Sequence, residues 1–471
     1  MKLPVLFPIL LSKENKTKMK KFNCLLLANL FVLSLFASHN KAGEIQYRQI
    51  GEFEENTIQC YIIMHTDSGL NAADRDSLLL HWGDGAIEWV KRSNGPGSPP
   101  QGLSINSRYK QNIYIAEHTY AEYGEYTLAV NERNRSGGII NINNGNSDIF
   151  SLYLYNTFTL SEEGYNSSPR SLFPPVDLAS VFTPFEHLAT VYDEEGDSLS
   201  YILVTPQMTD GVDVNNFQGL MDTPVSPDNQ LSLDPLTGHL VWDSPQIAGV
   251  YNIAIEITSY RDGIQNGQFI RDMIIEVANS PIISPVVEQD DLPIFGFIQE
   301  VEIGDTIQLS IPTSGENLFH FEAGGGLFSQ SQNPSTFDIS STELVGRFLW
   351  IVDEAHVRDQ PYDIGFKLIN VQDVPDFYLI RYKVNGFNTS ASILAEDDHD
   401  VVVYPNPSSD FLVLKEDAYY FSDYKIYSVS GELIRHGKMA SDRLDIRSLS
   451  SGSYVLLLDN RYPVKFIKAL K

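Results

Sequence analysis

Apolar residues recur at every second position over short stretches of this chain, and glycine and proline interrupt those stretches at close intervals. The clearest stretch is the one in which Tyr251, Ile253, Ile255 and Ile257 alternate with Asn252, Ala254, Glu256 and Thr258. A period of two residues is that of a β-strand with one face in a core and the other in solvent. The 24 Pro and 32 Gly residues supply the breaks that short strands and turns need. The sequence therefore predicts an all-β fold.

The length of the chain indicates more than one domain. At roughly 150 residues per domain, 471 residues correspond to three or four hydrophobic cores. The hydrophobic fraction of 42% is enough to fill ordinary cores. We therefore expect tandem β-sandwich domains.

Residues 1–42 have the features of an export signal. From Met19 onwards, a basic start precedes an apolar stretch of signal-peptide length, which is too short and too polar at its flanks to be a stable membrane span. Met19 is an alternative to Met1 as the initiator, and cleavage is expected between Ala37 and Ala42. No other stretch approaches the roughly 18 consecutive apolar residues of a spanning helix, so the mature chain should have no transmembrane span.

The net charge limits which partners the chain is expected to bind, and the cysteine content shows whether a disulfide can stabilise it. The formal net charge of −28 disfavours binding to nucleic acid and to anionic lipid headgroups. Of the two cysteines, Cys24 lies in the predicted signal, which leaves Cys60 without an intramolecular partner. Because Cys60 lies in a strand-like run, we predict a buried structural thiol and not a nucleophile.

Residues 43–160 contain predicted strands separated by glycine and proline turns. The predicted strands are Ile58–Met64, Ser77–Trp82, Tyr126–Val130 and Ile149–Tyr155. Two motifs in this segment together resemble the signature of the polycystic kidney disease (PKD) domain, a β-sandwich. The residues that carry the resemblance are Trp82, Gly83, Asp84, Gly85, His118, Tyr120, Gly124 and Tyr126. The resemblance implies that these residues stabilise the fold.

Two further segments resemble cadherin-like or immunoglobulin-like bacterial surface domains. In residues 161–280 the resemblance rests on the stretches 189–201 and 234–242. In residues 281–388 the run Gly346–Trp350 repeats the Gly-x-apolar-x-Trp pattern of Gly238–Trp242, and Gly324–Gly326 is predicted to form a turn. Residues 389–400 are small, polar and acidic, which predicts a flexible linker.

Residues 401–471 contain three blocks in which a turn signal precedes an apolar run. Considered without reference to any protein family, these blocks predict a small β-sandwich. Their order strongly resembles the type A C-terminal sorting domain of the type IX secretion system. The signature residues are Pro405, Asn406, Pro407, Gly431, Gly452 and Tyr454. The resemblance implies recognition by the type IX secretion machinery, passage through the outer membrane, and removal of this domain. The remainder would be released or linked covalently to surface lipopolysaccharide.

The acidic turn around Gly196 is the best candidate for a metal site. Ca²⁺ prefers six to eight oxygen ligands, and Asp193, Glu195 and Asp197 could supply several of them. The spacing is not that of an EF-hand, and an acidic turn without an ion is the alternative. Calcium is the one cofactor that the sequence suggests, and we name no catalytic residues.

Two classes of function are consistent with these features. The first is a noncatalytic adhesion, binding or structural protein at the cell surface, with an extracellular glycan or protein as its ligand. The alternative is an exported hydrolase or an accessory subunit for polymer degradation. We predict the first, because no Gly-x-Ser-x-Gly, His-Glu-x-x-His, P-loop or Cys-x-x-Cys motif occurs and the assigned modules leave almost no room for a catalytic domain.

Overall fold

In the part of the chain that the structure describes, the backbone forms strands, and the helical elements are short 3-10 turns. The computed structural model describes residues 40–52, 55–68, 75–133, 135–162, 164–279, 284–289, 292–315, 318–329, 333–340, 345–385, 402–406, 408–415, 421–428, 433–439, 443–458 and 462–469. Among these residues no helix is long and apolar enough to cross a membrane. The prediction of an all-β fold built from tandem sandwiches is confirmed.

The first unit comprises strands β1 to β8. They are β1 Asn40–Ile50, β2 Thr57–Asp67, β3 Ser77–His81, β4 Ile87–Lys91, β5 Leu103–Ser104, β6 Tyr109–Thr119, β7 Gly124–Glu132 and β8 Leu152–Leu160. Within a twelve-stranded sheet, the neighbouring strands β4, β3, β7 and β8 form one half of the first unit, and the neighbouring strands β1, β2, β6 and β5 form the other half. Both halves contribute side chains to one core, including Ile58 and Leu80, so the sheet is folded over on itself.

Two details of the first unit test the sequence predictions. Cys60 is buried in the core, as predicted, and burial raises the pKa of its thiol well above the usual value. The predicted start of the fourth strand is wrong, because Ser147–Ile149 form a 3-10 turn and β8 begins at Leu152. The Ser147 hydroxyl donates to the Ser136 carbonyl at 2.6 Å and accepts from the Ile139 amide at 3.1 Å, which stabilises the turn.

The second unit comprises strands β9 to β19. They are β9 Arg170–Ser171, β10 Val176–Ser180, β11 Phe185–Leu188, β12 Val191–Tyr192, β13 Ser198–Val204, β14 Gln207–Thr209, β15 Val212–Asp213, β16 Gln230–Leu233, β17 His239–Asp243, β18 Gly249–Arg261 and β19 Ile264–Ala278. The three-stranded sheet β11-β17-β16 covers the sheet that contains β18 and β19. Their core includes Trp242 and Tyr251.

Strand β19 connects the first two units. It pairs with β18 along nearly all its length, and its other edge pairs in turn with β8, β1 and β10. Tyr251 and Ile253 of β18 face the second core, as predicted, but Asn252 and Ala254 are also buried, and Ala254 belongs to the first core. The prediction of a solvent face on β18 is therefore wrong. The domain boundaries at 160 and 280 stay predictions, since β18 and β19 serve both cores.

The third unit comprises strands β20 to β28. They are β20 Val286–Val287, β21 Ile298–Glu302, β22 Thr306–Ile311, β23 Thr313–Ser314, β24 Leu318–Gly325, β25 Thr336–Ile339, β26 Gly346–Ile351, β27 Tyr362–Asn370 and β28 Pro375–Asn385. The four-stranded sheet β21-β28-β27-β24 packs on the three-stranded sheet β22-β26-β25. Trp350 from one sheet and Phe366 from the other share the core between them.

The predicted turn at Gly324–Gly326 is wrong. Gly324 and Gly325 lie in β24, and Gly326 begins a 3-10 turn. A Cβ atom on Gly324 would lie 3.2 Å from the Leu172 carbonyl oxygen, and one on Gly326 would lie 3.1 Å from the Tyr192 ring. These two glycines therefore allow the third unit to approach the second closely.

The C-terminal unit comprises strands β29 to β35. They are β29 Val402–Tyr404, β30 Phe411–Lys415, β31 Asp423–Ser428, β32 Leu433–Lys438, β33 Arg443–Asp445, β34 Gly452–Leu458 and β35 Tyr462–Lys468. The three-stranded sheet β29-β30-β33 and the four-stranded sheet β32-β31-β34-β35 enclose a core of their own, which includes Leu412 and Phe466. The predicted small sandwich is therefore present.

Two predicted segments lie largely or wholly outside the described residues. The predicted linker at 389–400 lies wholly outside them. Of the predicted export signal at 1–42, residues 1–39 lie outside them. Asn40–Ala42, which were predicted to end the signal, form the start of β1, and Ala42 is buried in the second core. Cleavage before Asn40 would leave this strand whole.

Candidate functional site

The PKD-like signature residues lie together at one end of the first unit. The His118 ring stacks on buried Trp82 at a centroid distance of 4.9 Å, and the Tyr120 hydroxyl donates to the Trp82 carbonyl at 2.7 Å. Tyr126 packs against Tyr120 at 4.1 Å. Gly124 begins β7 with a φ of 156°, a backbone conformation that residues with a side chain rarely adopt. The geometry is that of a structural cluster, as the resemblance implies.

Asp84 closes the turn between β3 and β4 within this cluster. One of its carboxylate oxygens accepts from the Ala86 amide at 2.9 Å, and the other lies 2.7 Å from His118 Nε2. Partial burial would raise the pKa of Asp84, but the hydrogen bonds with His118 and the Ala86 amide outweigh it and lower the pKa. Gly83 and Gly85 flank Asp84 at φ of 90° and 97°, which glycine tolerates.

The acidic turn at the second unit does not gather its carboxylates around one point. Asp197 is bound by Arg261 through two hydrogen bonds of 2.7 and 2.8 Å, and Asn266 donates to it at 2.6 Å. Asp193 accepts from the Asp197 amide at 2.9 Å. Among the described residues, no group of three or more His, Cys, Asp or Glu side chains is arranged to hold a metal ion. The calcium site at Asp193, Glu195 and Asp197 stays a prediction.

The environment of Asp193 favours a proton on its carboxyl group. Its Oδ2 atom is buried and has no hydrogen-bond partner among the described residues. Burial and the nearby Glu195 carboxylate raise the pKa of Asp193 to about 7, and burial also raises the pKa of Glu195. The turn therefore holds a buried acid that is partly neutral near physiological pH.

We expect Asp193→Asn to stabilise the protein increasingly as the pH rises. A folded pKa above the unfolded value means that the native state binds more protons between about pH 4 and 7, so wild-type stability falls as pH rises through that window. Asparagine has no such dependence. The gain at pH 8 relative to pH 4 should be about 2–4 kcal/mol in urea unfolding with a chelator present.

The exposed Asp213→Asn on β15 is the control for this pH series, and it should show no comparable gain. Adding calcium separates the two interpretations of the turn. If calcium stabilises the wild type and not Asp193→Asn, the turn binds the ion after all. A gain that is the same at pH 4 and at pH 8 would contradict the shifted pKa.

A buried charged cluster joins the second and third units, and the sequence reasoning did not find it. Lys367 of β27 donates to Asp177 of β10 at 2.8 Å, and both side chains are buried. Burial alone would raise the pKa of Asp177, but Lys367 and His187 outweigh it and hold that pKa well below its usual range. Burial lowers the pKa of His187 to about 4, so its neutral ring donates from Nδ1 to Asp177 at neutral pH.

A second buried ion pair joins the first and second units. Arg135 contacts both carboxylate oxygens of Asp272 on β19, at 3.2 and 2.8 Å, and Asn252 donates to Asp272 at 2.6 Å. Burial of paired charges is unfavourable unless their hydrogen bonds are made, and here they are. In both clusters the two members of the ion pair are more than 130 residues apart in the chain, so no local motif predicts the pair.

In the C-terminal unit, Asn406 and Tyr454 occupy defined structural positions. The Asn406 side chain accepts from the Ile467 amide at 2.8 Å and donates to the Lys465 carbonyl at 3.2 Å, which ties the segment after β29 to β35. Tyr454 of β34 stacks on buried Phe466 at 5.6 Å.

Four further signature residues complete the comparison with the sequence prediction. Pro405 follows a cis peptide bond, and Gly452 begins β34 with a φ of 152°, which residues with a side chain rarely adopt. Pro407 and Gly431 lie outside the described residues. The signature residues that the structure describes therefore lie in the turns and strands that frame one small sandwich.

Comparison with solved structures gives alignments to immunoglobulin-like tandem domains. The tandem Ig repeats of Dlar align with 10% identity over 46% of this chain and 98% of that chain, at a TM-score of 0.21. The Ig1-2 module of the Drosophila receptor protein tyrosine phosphatase DLAR aligns with 12% identity over 46% of this chain and 96% of that chain, at a TM-score of 0.20. The titin Ig tandem domains A164-A165 align with 12% identity over 46% of this chain and 96% of that chain, at a TM-score of 0.17. TM-scores this low are no evidence for a shared function.

Comparison with protein families is more specific. Residues 402–469 match the family model described as the secretion system C-terminal sorting domain, which spans β29 to β35. No protein of curated function matches the chain. The sorting resemblance of residues 401–471 is confirmed, whereas the PKD-like and cadherin-like resemblances stay predictions. The chain therefore carries a type IX secretion C-terminal sorting domain and is an exported protein, located at the cell surface or secreted.

Proposed function

We propose that residues 40–385, here called the passenger, form a noncatalytic binding or structural scaffold that the sorting domain delivers to the cell surface. The observation that carries this proposal is that two buried ion pairs connect the three units. Arg135–Asp272 joins the first unit to the second, and Lys367–Asp177 joins the second to the third. Units joined by buried, satisfied charges keep a fixed mutual orientation, since separating them would expose apolar surface and break the pairs. A fixed orientation suits a scaffold that presents a surface to a ligand.

Packing between the second and third units supports the same proposal. Phe173 and Leu188 of the second unit share a small apolar core with Phe377 and Leu379 of the third. Arg358 of the third unit also donates to the Asp193 carbonyl at 3.1 Å. The interface thus combines apolar burial with specific polar contacts, which is typical of permanent and not transient association.

Partners and anchorage belong to the same proposal. The sorting domain implies the secretion machinery as a partner. We propose that the exported passenger is then released or attached to lipopolysaccharide, and that its ligand is an extracellular glycan or protein. The alternative, a hydrolase or an accessory subunit for polymer degradation, has no specific structural observation in its favour.

Export is tested by cell fractionation of two full-length substitution variants and one truncated chain, each with a tag in the passenger. Phe466→Ala should leave the passenger in the periplasm, because it removes a buried ring from the sorting core. Truncation before Val401 should do the same. Ile467→Ala is the matched control, since the next residue on β35 is exposed, and it should reach the surface or the medium like the wild type.

The noncatalytic role is tested on the same strains and on the purified chain. Cells that display the passenger should adhere to a glycan-coated or protein-coated surface, and cells that retain it in the periplasm should not. The purified chain should release no soluble sugar or peptide from polysaccharide or protein substrates. Release of such products would overturn the proposal in favour of the hydrolase.

A further inference from the structure

The outer face of the first unit exposes a large aromatic side chain on β4. The buried residue of that strand is Val90, whereas Trp89 is 66% exposed and Ile87 is 61% exposed. An exposed indole is unusual, because tryptophan is highly buried on average. Trp89 is therefore the first element of a candidate binding surface.

The strand register places polar and apolar groups beside Trp89. Trp89 pairs with Leu79 and Ile87 pairs with His81, so these side chains lie on the same face of β3 and β4. Pairing of Leu80 with Val130 puts Asn131 of β7 next to Leu79 on that face. The row from Trp89 to Asn131 crosses three adjacent strands.

A groove of about 460 Å³ opens on this same face. Leu79, His81 and Asn131 line one side of it, and Arg133, Ile149 and Met208 are among the residues that line the rest. Its volume falls in the range of roughly 300–1,000 Å³ that is typical of small-molecule sites. Because Leu79 lines the groove and is the cross-strand neighbour of Trp89, the indole and the groove form one continuous surface, here called the Trp89 groove.

We propose that the Trp89 groove binds a neutral oligosaccharide chain, an inference that rests on the scaffold function proposed above and names its ligand class. A sugar ring has an apolar face of C–H groups, which is attracted to the electron-rich face of an indole. Its rim consists of hydroxyl groups that both donate and accept hydrogen bonds. The imidazole of His81, the amide of Asn131 and the guanidinium of Arg133 offer complementary donors and acceptors.

Two other classes of occupant fit less well. A polyanion is disfavoured by the net charge of −28. A peptide added as an extra strand would need the free edge of β4, yet just beyond β4 the chain turns to β6: Arg92 bridges to Tyr114, and the Ser93 amide donates to the Ile113 carbonyl at 2.8 Å. A neutral glycan needs neither a positive field nor a free strand edge.

The tryptophan content provides a selective optical probe. Of the four tryptophans, Trp82, Trp242 and Trp350 are fully buried, so acrylamide, a neutral quencher, should reach Trp89 alone. The purified full-length chain is titrated with neutral gluco-, manno- and galacto-oligosaccharides, and quenching is measured at each step. Binding should protect Trp89 from the quencher and shift its emission to shorter wavelength.

Three variants test the assignment by calorimetric binding to whichever oligosaccharide protects Trp89. Trp89→Ala should weaken the affinity about tenfold or more, as expected for a central aromatic contact. His81→Ala should weaken it severalfold. Phe182→Ala, which removes an aromatic ring that is 65% exposed on the second unit, is the matched control and should leave the affinity unchanged.

The outcomes distinguish this inference from the scaffold proposal. If no oligosaccharide of the panel protects Trp89, or if Trp89→Ala binds as tightly as the wild type, the oligosaccharide site is refuted, while display of a noncatalytic passenger is untouched. Protection by a protein ligand and by none of the glycans also refutes it. The scaffold proposal fails separately, by release of products or by failure of displaying cells to adhere.

Discussion

Replacing Lys367 with methionine should destabilise the passenger by about 3–5 kcal/mol in urea unfolding at neutral pH. Methionine keeps an unbranched side chain that is one atom shorter and uncharged, so the loss reports mainly on the charge. Lys367 donates to Asp177 at 2.8 Å, and without it a buried carboxylate keeps only neutral His187 as a side-chain partner among the contacts described above. An uncompensated buried charge is far more costly than the absence of the pair.

The exposed pair of Lys438 with Asp423 is the control for this substitution. Its N–O distance is 2.8 Å, the same as in the buried pair, but its side chains are 79% and 54% exposed. Lys438→Met should therefore change stability by less than about 1 kcal/mol. Equal effects of the two variants would contradict the role assigned to burial.

The loss caused by Lys367→Met should also depend on pH. In the wild type the pKa of Asp177 lies below its unfolded value, so the ionised pair stabilises the fold above that unfolded value, and this contribution is lost as pH falls through the folded pKa. In the variant, burial raises the pKa of Asp177, and protonation relieves the unpaired charge as the pH falls from neutral. The difference between variant and wild type should shrink towards acid pH, and a constant difference would contradict this origin.

The sequence predicted strands well wherever a strand has one buried face. Tyr251 and Ile253 face the core as their period of two predicts. The period could not show that Asn252 and Ala254 are buried as well, because their cover comes from the first unit through β19. A polar residue such as Asn252 can occupy a buried face when a buried partner, here Asp272 on the adjacent strand, accepts a hydrogen bond from its amide nitrogen.

The candidate sites that the sequence predicted are those whose residues lie close together in the chain. The sorting signature and the Trp82–Gly85 turn are local in sequence, so their motifs predicted where they would lie. The contact of Asp177 with Lys367 spans 190 residues and depends on how two sandwiches dock, which no local pattern specifies. The Trp89 groove was missed for a related reason, since alternation marks Trp89 as a strand residue without showing which face remains uncovered.

Glycines also show where sequence reasoning is ambiguous. Gly85 was predicted in a turn and lies in one, whereas Gly324 was predicted in a turn and lies in a strand against Leu172. The sequence alone does not distinguish these two roles of glycine. One provides a positive φ and the other provides room for a neighbouring domain, and the tertiary structure decides between them.

Gly83→Ala should destabilise the first unit by about 3–4 kcal/mol. Gly83 has a φ of 90°, and a Cβ atom there would lie 2.6 Å from the Thr127 amide nitrogen and 2.9 Å from the Thr127 carbonyl oxygen. Because the clashing atoms are backbone atoms of β7, no rotamer change can remove the overlap. Relief requires β7 to move away from the turn, which would loosen the packing of Tyr126 on Tyr120.

Gly85→Ala is the matched control, because Gly85 has a φ of 97° and no atom within 4 Å of the position its Cβ would take. It should lose only the conformational preference, about 1–2 kcal/mol. Both variants are compared with the wild type by urea unfolding, and the difference between them isolates the steric contact. If the two losses are equal, the contact with Thr127 adds nothing, and the two glycines matter only for their positive φ angles. A larger loss for Gly83→Ala shows that close packing of the turn against β7 stabilises the cluster around Trp82.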